Sequence, residues 1–264
     1  MGRIRVRLLK GFDSLGLQIC RALRYAQVLQ TELMLHLAQP EDWHEITARA
    51  YNRNRSYRDD AYNATFYPWE KQAVDRFFPD PPARVLVGAA GGGRELAWLA
   101  GRGYDVAGFD PAVRLATDVA RRVDRSRLLC CEVASYQALL DGITAIEAHA
   151  PYDAIVLGFG SLSHVALPKH REALLRKALS LCDKGPLLLS WLSNARSPAQ
   201  LRVRAVLTRL GLARRPARDS YSAHEGFIHG FDYQEIFDLA SAAGYRVAAY
   251  DDANDFPHAV LLPK

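Results

Sequence analysis

From Leu15 to Leu37 the apolar positions Leu15, Ile19, Ala22, Ala26, Leu29, Leu33 and Leu37 fall mostly three or four residues apart, which predicts one long amphipathic helix. Two further helices are expected at about 41–52 and 68–77, on either side of the polar, aromatic stretch YNRNRSYRDDAYNATFYPW. The prolines of FFPDPPARV close this portion, because paired prolines resist helix and mark a turn or linker. Beyond them the pattern changes. Short apolar runs, RVLV at 84–87, DVAGF at 105–109, RLLCC at 127–131, DAIVLGF at 153–159 and PLLLSWL at 186–192, alternate with helical periods such as RELAWLAGRG, AVRLATDVARR and KHREALLRKALSL. That alternation predicts βαβ units around a parallel sheet, with all five strands buried on both faces. The last stretch, YQEIFDLASAAGYRVAAYDDANDFPHAVLLPK, reads as a helix and two strands joined by a turn too short for another helix, hence an antiparallel hairpin at the sheet edge. The chain is therefore expected to be an α/β protein in two parts. Residues 1–80 form a helical N-terminal lobe, a substrate lid or dimerisation region, and residues 81–264 form the sheet domain.

The first strand runs into VLVGAAGGGRE at 85–95, where small residues and three consecutive glycines separate strand from helix. A bare loop there lets backbone approach a ligand, and the following helix N-terminus offers unpaired N–H groups to a negative group. Tight packing of helix on strand also calls for small residues, so the loop alone indicates little. The second strand ends at Asp110 in DVAGFDP, seventeen residues beyond Gly93, where a carboxylate can accept both hydroxyl hydrogens of a ribose. Capping the helix that starts near Pro111 is the alternative use of that residue. Read from Gly91 and Gly93, the dinucleotide fingerprint GxGxxG would need glycine where Leu96 stands, and no lysine followed by serine or threonine closes the loop as in nucleotide hydrolases.

These residues, with CCEVAS after the third strand, YDAIVLGFGSLSH at the fourth and the terminal AAGYRV and HAVLLPK, resemble the class I S-adenosylmethionine-dependent methyltransferases over about residues 80–264. The resemblance implies a Rossmann-like, mostly parallel seven-stranded sheet whose terminal strand is antiparallel, with S-adenosylmethionine as cofactor and S-adenosylhomocysteine as product. It implies that Ala89, Ala90 and Gly91 lie beneath the methionine part of the cofactor and that Asp110, with Pro111 beside it, holds the ribose. It places Glu132 near the adenine amino group, Val133 beside the ring and Gly158 at the floor of the transfer site. Two positions depart from the family, which usually has an acid at Val87 and glycine at Ala89.

Methyl transfer from a sulfonium can be catalysed largely by aligning nucleophile, methyl and leaving sulfur, so a base is optional. His164 in GSLSHV and His229 in GFIHGF are the candidate bases, since a neutral imidazole can take a proton near neutral pH; packing or capping is the structural use of each. The family's base-amino methylases usually carry Asn or Asp followed by Pro-Pro and an aromatic after the fourth strand, where this chain has GFGSLS, which disfavours that acceptor class. Metal-dependent catechol methylation would want ligands at the ends of the fourth and fifth strands, but the fifth offers only Asn194, so no metal is expected. The N-terminal aromatics Trp43, Tyr51, Tyr57, Tyr62, Phe66, Tyr67 and Trp69 can enclose an apolar or aromatic small molecule, and Tyr51 and Tyr57 are the candidate substrate contacts. Core packing uses the same residue types.

Composition changes this picture little. Apolar residues make up 49% and charged residues 24%, as in ordinary globular proteins. The cysteines Cys20, Cys130, Cys131 and Cys182 have no CxxC spacing and read as buried free thiols, Cys130 and Cys131 pointing to opposite faces of a strand. No apolar run approaches the roughly 18 residues that span a bilayer, and Lys10, Asp13 and Arg21 interrupt any signal core, so a cytoplasmic protein is expected. The net charge of +5 is unevenly placed: Arg3, Arg5, Arg7, Lys10, Arg21 and Arg24 face only Asp13 in residues 1–30, and Arg196, Arg202, Arg204, Arg209, Arg214, Arg215 and Arg218 form a second block. Such blocks attract phosphate-bearing partners or membranes, or are solvated helix faces. Three functions stay open: a methyltransferase acting on O or N of a small molecule, an RNA- or protein-modifying methyltransferase using the 196–218 block, and a non-catalytic adenosyl-binding protein. The N-terminal helix suits folding back on the domain, a homodimer contact or a membrane surface.

Overall fold

Parallel strands need a long return connection between them, and here helices supply it. The computed structural model describes residues 2–192, 197–213, 215–253 and 256–264, with side chains from Phe12 onward. Five parallel strands, β1 (Arg84–Gly88), β2 (Asp105–Asp110), β3 (Leu128–Val133), β4 (Ala154–Leu157) and β5 (Leu187–Ser190), are joined in one seven-stranded sheet by the hairpin β8 (Tyr245–Asp251) and β9 (His258–Pro263). The order is β3-β2-β1-β4-β5-β9-β8, and β9 runs antiparallel to both neighbours. The expected sheet and terminal hairpin are thus observed. One expectation is corrected: β3 is the sheet edge, so its residues are half-buried or exposed rather than enclosed on both faces.

Strand alternation sends successive side chains into two separate cores. Val85, Val87, Val106, Val156, Leu188 and Val260 face α4 (Pro68–Phe77), α5 (Arg94–Gly101) and α6 (Val113–Arg122), meeting Val74, Leu96, Leu99 and Val119. Leu86, Phe109, Ile155, Leu157, Leu187 and Leu261 face α7 (Tyr136–Leu140), α8 (Pro168–Leu181) and α10 (Tyr233–Ala242), meeting Leu139, Leu174, Leu175 and Ile236. Each such fully buried side chain contributes about 1.5–3 kcal/mol. Cys130 packs against the second core and Cys131 against the first, on opposite faces as expected; of the four expected buried thiols only Cys182 is buried, since Cys130 and Cys131 on the edge strand are half-buried and Cys20 is exposed on the first helix.

The N-terminal lobe starts with α1 (Gly2–Leu37), longer than the periodicity from Leu15 predicts. Its Phe12, Leu15, Leu17, Ile19 and Leu23 are exposed, and the helix packs on α9 (Pro198–Arg209) and on β6 (Asp219–Ser222), with Glu32, Leu35 and His36 buried. Then come α2 (Asp42–Arg53), a 3-10 turn (Arg55–Arg58) and α3 (Asp60–Asn63). Asp42 and Glu45 in the first turn of α2 suit its dipole, and Pro68 at the start of α4 precedes Glu70, whose carboxylate accepts the Tyr67 N–H at 2.9 Å. The 194–228 region contains structure that its polar sequence concealed: β6 pairs antiparallel with β7 (Gly226–His229) in a separate two-stranded sheet. Phe227 of β7 packs with Leu35 and Trp43 in a third small core, which fixes this hairpin over α2.

Candidate functional site

Strand order reverses between β1 and β4, and in open α/β sheets the crevice beyond the carboxyl ends at such a point takes the ligand. A cavity of about 430 Å³ lies there, walled by the loops after β1, β2 and β4 on one side and by α2 and α3 on the other. Gly91, at φ +54°, would have nothing within 4 Å of an added Cβ, so its backbone is open to the cavity. Gly92 is the opposite case, since a Cβ there would stand 2.8 Å from both Asn63 Oδ1 and the Tyr57 carbonyl. The lobe therefore closes directly on the loop, and Arg122 ties the two by donating to the Gly92 carbonyl at 3.0 Å, the Arg58 carbonyl at 2.9 Å and the Asp60 carboxylate. Ala89 sits at φ +54° without glycine's freedom, a strained backbone at the point where the loop leaves β1.

Asp110 closes the far end. Its Oδ2 accepts the Gly91 N–H at 2.8 Å and its Oδ1 the Ala112 N–H at 2.7 Å, which couples the carboxylate to the glycine loop. Burial pushes its pKa up to about 6 against the pull of those two N–H groups. Each oxygen keeps a further acceptor direction. An open loop backbone, a buried acceptor pair and a wall that includes Trp43, Phe109, Tyr136 and Phe159 fit an adenosyl group.

At the other end, Tyr51 and His164, 113 residues apart, meet at 2.8 Å between Oη and Nε2. His164 Nδ1 lies 2.6 Å from the Phe227 carbonyl, which can only accept, so Nδ1 carries the proton and Nε2 accepts from Tyr51. Burial drives the His164 pKa down to about 4, keeping the imidazole neutral. The Tyr51 and Tyr57 rings lie 4.9 Å apart, and burial raises both phenol pKa values. Tyr136 and Ser161 add a second hydroxyl pair on the cavity wall, at 2.6 Å.

Ala89, Ala90, Gly91, Asp110, Pro111, Tyr51, Tyr57 and His164 all line this one cavity. Glu132, Val133 and Gly158 do not. Val133 is exposed, and Ser135, Tyr136 and Gln137 occupy the wall beyond β3 instead. Gly158 supports the loop from behind, donating to the Gly88 carbonyl at 2.8 Å, and an added Cβ would press on the backbone oxygens of Ala89 and Gly88 at 3.0 and 3.1 Å. His229 is also off the cavity, held by Asp219 at 2.5 Å and Glu235 at 2.8 Å, and these carboxylates raise its pKa against the effect of burial. Residues that the sequence reading passed over are Glu95, Tyr136 and Ser161. Glu95 alone had a signal, its place in the first turn after the glycine loop.

Among the described residues no group of three or more His, Cys, Asp or Glu is placed to hold a metal ion, and no helix is long and apolar enough to cross a membrane. Asn194, with Arg196 and Arg214, lies outside the described residues. Four of the described arginines of the basic block, Arg202, Arg204, Arg215 and Arg218, make bonds within the molecule. Arg204 pairs with Glu32 at 3.5 Å and donates to the carbonyls of Arg215, Pro216 and Asp219; Arg215 bonds the Ala38 carbonyl, Arg202 the Tyr25 hydroxyl, and Arg218 pairs with Asp232 and Glu235.

No family model matches the sequence, and no curated protein matches it. Solved structures do match in fold. The Burkholderia thailandensis 1,6-didemethyltoxoflavin-N1-methyltransferase, with bound 1,6-didemethyltoxoflavin and S-adenosylhomocysteine, aligns over 86% of this chain and 92% of its own at TM-score 0.57 and 16% identity. The CcbJ methyltransferase from Streptomyces caelestis aligns over 81% of this chain and 98% of its own at TM-score 0.55 and 13% identity. Magnesium protoporphyrin IX methyltransferase from Synechocystis, with bound S-adenosylmethionine, aligns over 86% and 99% at TM-score 0.53 and 15% identity. The chain has the fold of these Rossmann-like methyltransferases.

Proposed function

We propose that this chain is an S-adenosylmethionine-dependent methyltransferase acting on an oxygen or nitrogen of a small, largely apolar molecule. One observation carries the reading: a single cavity joins an open glycine loop and a ribose-type carboxylate to an aromatic chamber that contains a neutral Tyr51–His164 pair. The fold neighbours named with small-molecule acceptors support it.

Asp110 holds the ribose hydroxyls, and the backbone at Ala89–Gly91 supports the methionine part. When bound, S-adenosylmethionine supplies an electrophilic methyl group on a sulfonium sulfur. Tyr51 Oη, its own proton held by His164 Nε2, accepts from the acceptor's O–H or N–H and aims that atom's lone pair at the methyl group; the acceptor's proton leaves to solvent as the new bond to carbon forms and the carbon–sulfur bond breaks. His164 stays neutral throughout, its Nδ1 donating to the Phe227 carbonyl and its Nε2 holding the Tyr51 hydroxyl proton. Tyr57, Tyr62 and Trp43 enclose the acceptor and exclude water. An RNA- or protein-modifying role draws less support, because Arg204 and Arg215, central to the block that motivated it, are bonded within the molecule.

The test is transfer of isotope-labelled methyl from S-adenosylmethionine to a library of small phenols, amines and heterocycles. Label should appear in at least one organic-extractable product and be lost in Asp110→Ala with circular dichroism unchanged. Cofactor binding with label transferred to no acceptor would favour a non-catalytic adenosyl-binding protein; label in RNA or protein alone would favour the other reading.

A further inference from the structure

The cavity wall holds a charge imbalance. Arg94, at the first position of α5, donates to both oxygens of Glu70 at 2.6 and 2.5 Å, to Glu95 Oε1 at 2.6 Å and to the Thr65 carbonyl at 3.2 Å. All three charged side chains are at least nine-tenths buried, so two carboxylates share one guanidinium away from water. Burying an uncompensated charge is costly, and the surplus shows in Glu70, held above the ordinary carboxylate range by burial and by the Glu95 charge against its bonds to Arg94. Glu95 lines the cavity, and among the described residues no hydrogen bond reaches its Oε2. It shares that cavity wall with Asp110 from β2, Tyr62 from α3 and Tyr136 from α7, so the carboxylate stands between the ribose acid and the walls of the acceptor chamber. That is where the sulfur of an adenosyl cofactor would lie, between the ribose and the acceptor.

We infer that Glu95 is a specificity residue, the counter-charge that makes this site prefer a cationic sulfonium over the neutral thioether left after transfer. The inference rests on the proposed cofactor. A cation entering the cavity supplies the positive charge that the Glu70–Arg94–Glu95 cluster lacks, while the neutral product restores the imbalance and is released more readily.

The experiment is calorimetric titration of wild type and Glu95→Gln with S-adenosylmethionine, with S-adenosylhomocysteine, and with sinefungin, in which a carbon bearing an ammonium group replaces the sulfonium. Glu95→Gln should weaken both cations about tenfold or more while changing S-adenosylhomocysteine less than about twofold, which also reports that the variant is folded. Glu70→Gln, which frees Arg94 to neutralise Glu95, should likewise reduce the preference for cations. Equal weakening of all three ligands, or an unchanged ratio between charged and neutral ligands in both variants, would overturn the inference. A wild type that binds none of the three refutes the cofactor reading itself and is a distinct result.

Discussion

Ala89 is where a small departure in sequence becomes a measurable cost. An L-residue at φ +54° is strained by roughly 1 kcal/mol, and glycine at that place relieves it, offset in part by the greater freedom of the unfolded chain. Ala89→Gly is expected to raise the urea midpoint, by a net of about 1 kcal/mol or less; a lowered midpoint would show that the alanine methyl packs more usefully than its backbone strains. His164 gives a second residue-level expectation. Its folded pKa of about 4 lies below its unfolded value near 6.5, so its contribution to stability is full above pH 6.5 and is lost as pH falls toward 4, by at most about 3 kcal/mol. Asp110, raised to about 6, works in the opposite direction over the same range, so the effect is read as the gap between wild type and His164→Gln. That gap should move against the wild type on acidification; a constant gap would contradict a buried neutral imidazole. At this scale the sequence was informative about single residues and silent about pairs. Asp110 and the glycine loop were legible because strand and helix periodicity fix where they stand. The Tyr51–His164 contact was not, because it joins residues 113 apart through the docking of α2 on the loop after β4, which no local pattern encodes.

Among the elements, the β6–β7 hairpin matters most to the chamber, since Phe227 both packs on Trp43 and orients His164 through its carbonyl. Its two strands, DSYS and GFIH, are short and carry little alternation, so the sequence pattern did not disclose them. What holds them is His229, bridging Asp219 on β6 to Glu235 on α10, with Arg171 and Arg218 on the same carboxylate of Glu235. Because its partners raise the His229 pKa, this clamp is complete below the unfolded value near pH 6.5 and is lost as pH rises through the folded value. His229→Gln should cost about 2 kcal/mol and speed amide exchange across 219–229 while β1, β2 and β4 stay protected. Unaltered exchange in the hairpin would mean that the apolar packing of Phe227 suffices. The helices 68–77 and 41–52 were legible to within a residue or so because caps and periodicity agree, whereas the edge position of β3 was not, since an apolar run does not reveal which neighbour it lacks.

For the molecule as a whole, alternation of strand and helix sufficed to anticipate a parallel sheet with a terminal antiparallel hairpin. The closure of the N-terminal lobe on the glycine loop, through Gly92 against Asn63 and through Arg122, depends on tertiary fit and appears only in three dimensions. That closure makes one cavity of what would otherwise be an open groove, and the proposed adenosyl cofactor would occupy it between the loop at 89–91 and Asp110. The most direct test is titration of the protein with S-adenosylhomocysteine, in parallel with Asp110→Ala. The wild type should show one saturable site and the variant, without the charge-assisted bonds to the ribose, an affinity at least about tenfold weaker. No binding by the wild type, or equal binding by the two proteins, would contradict it.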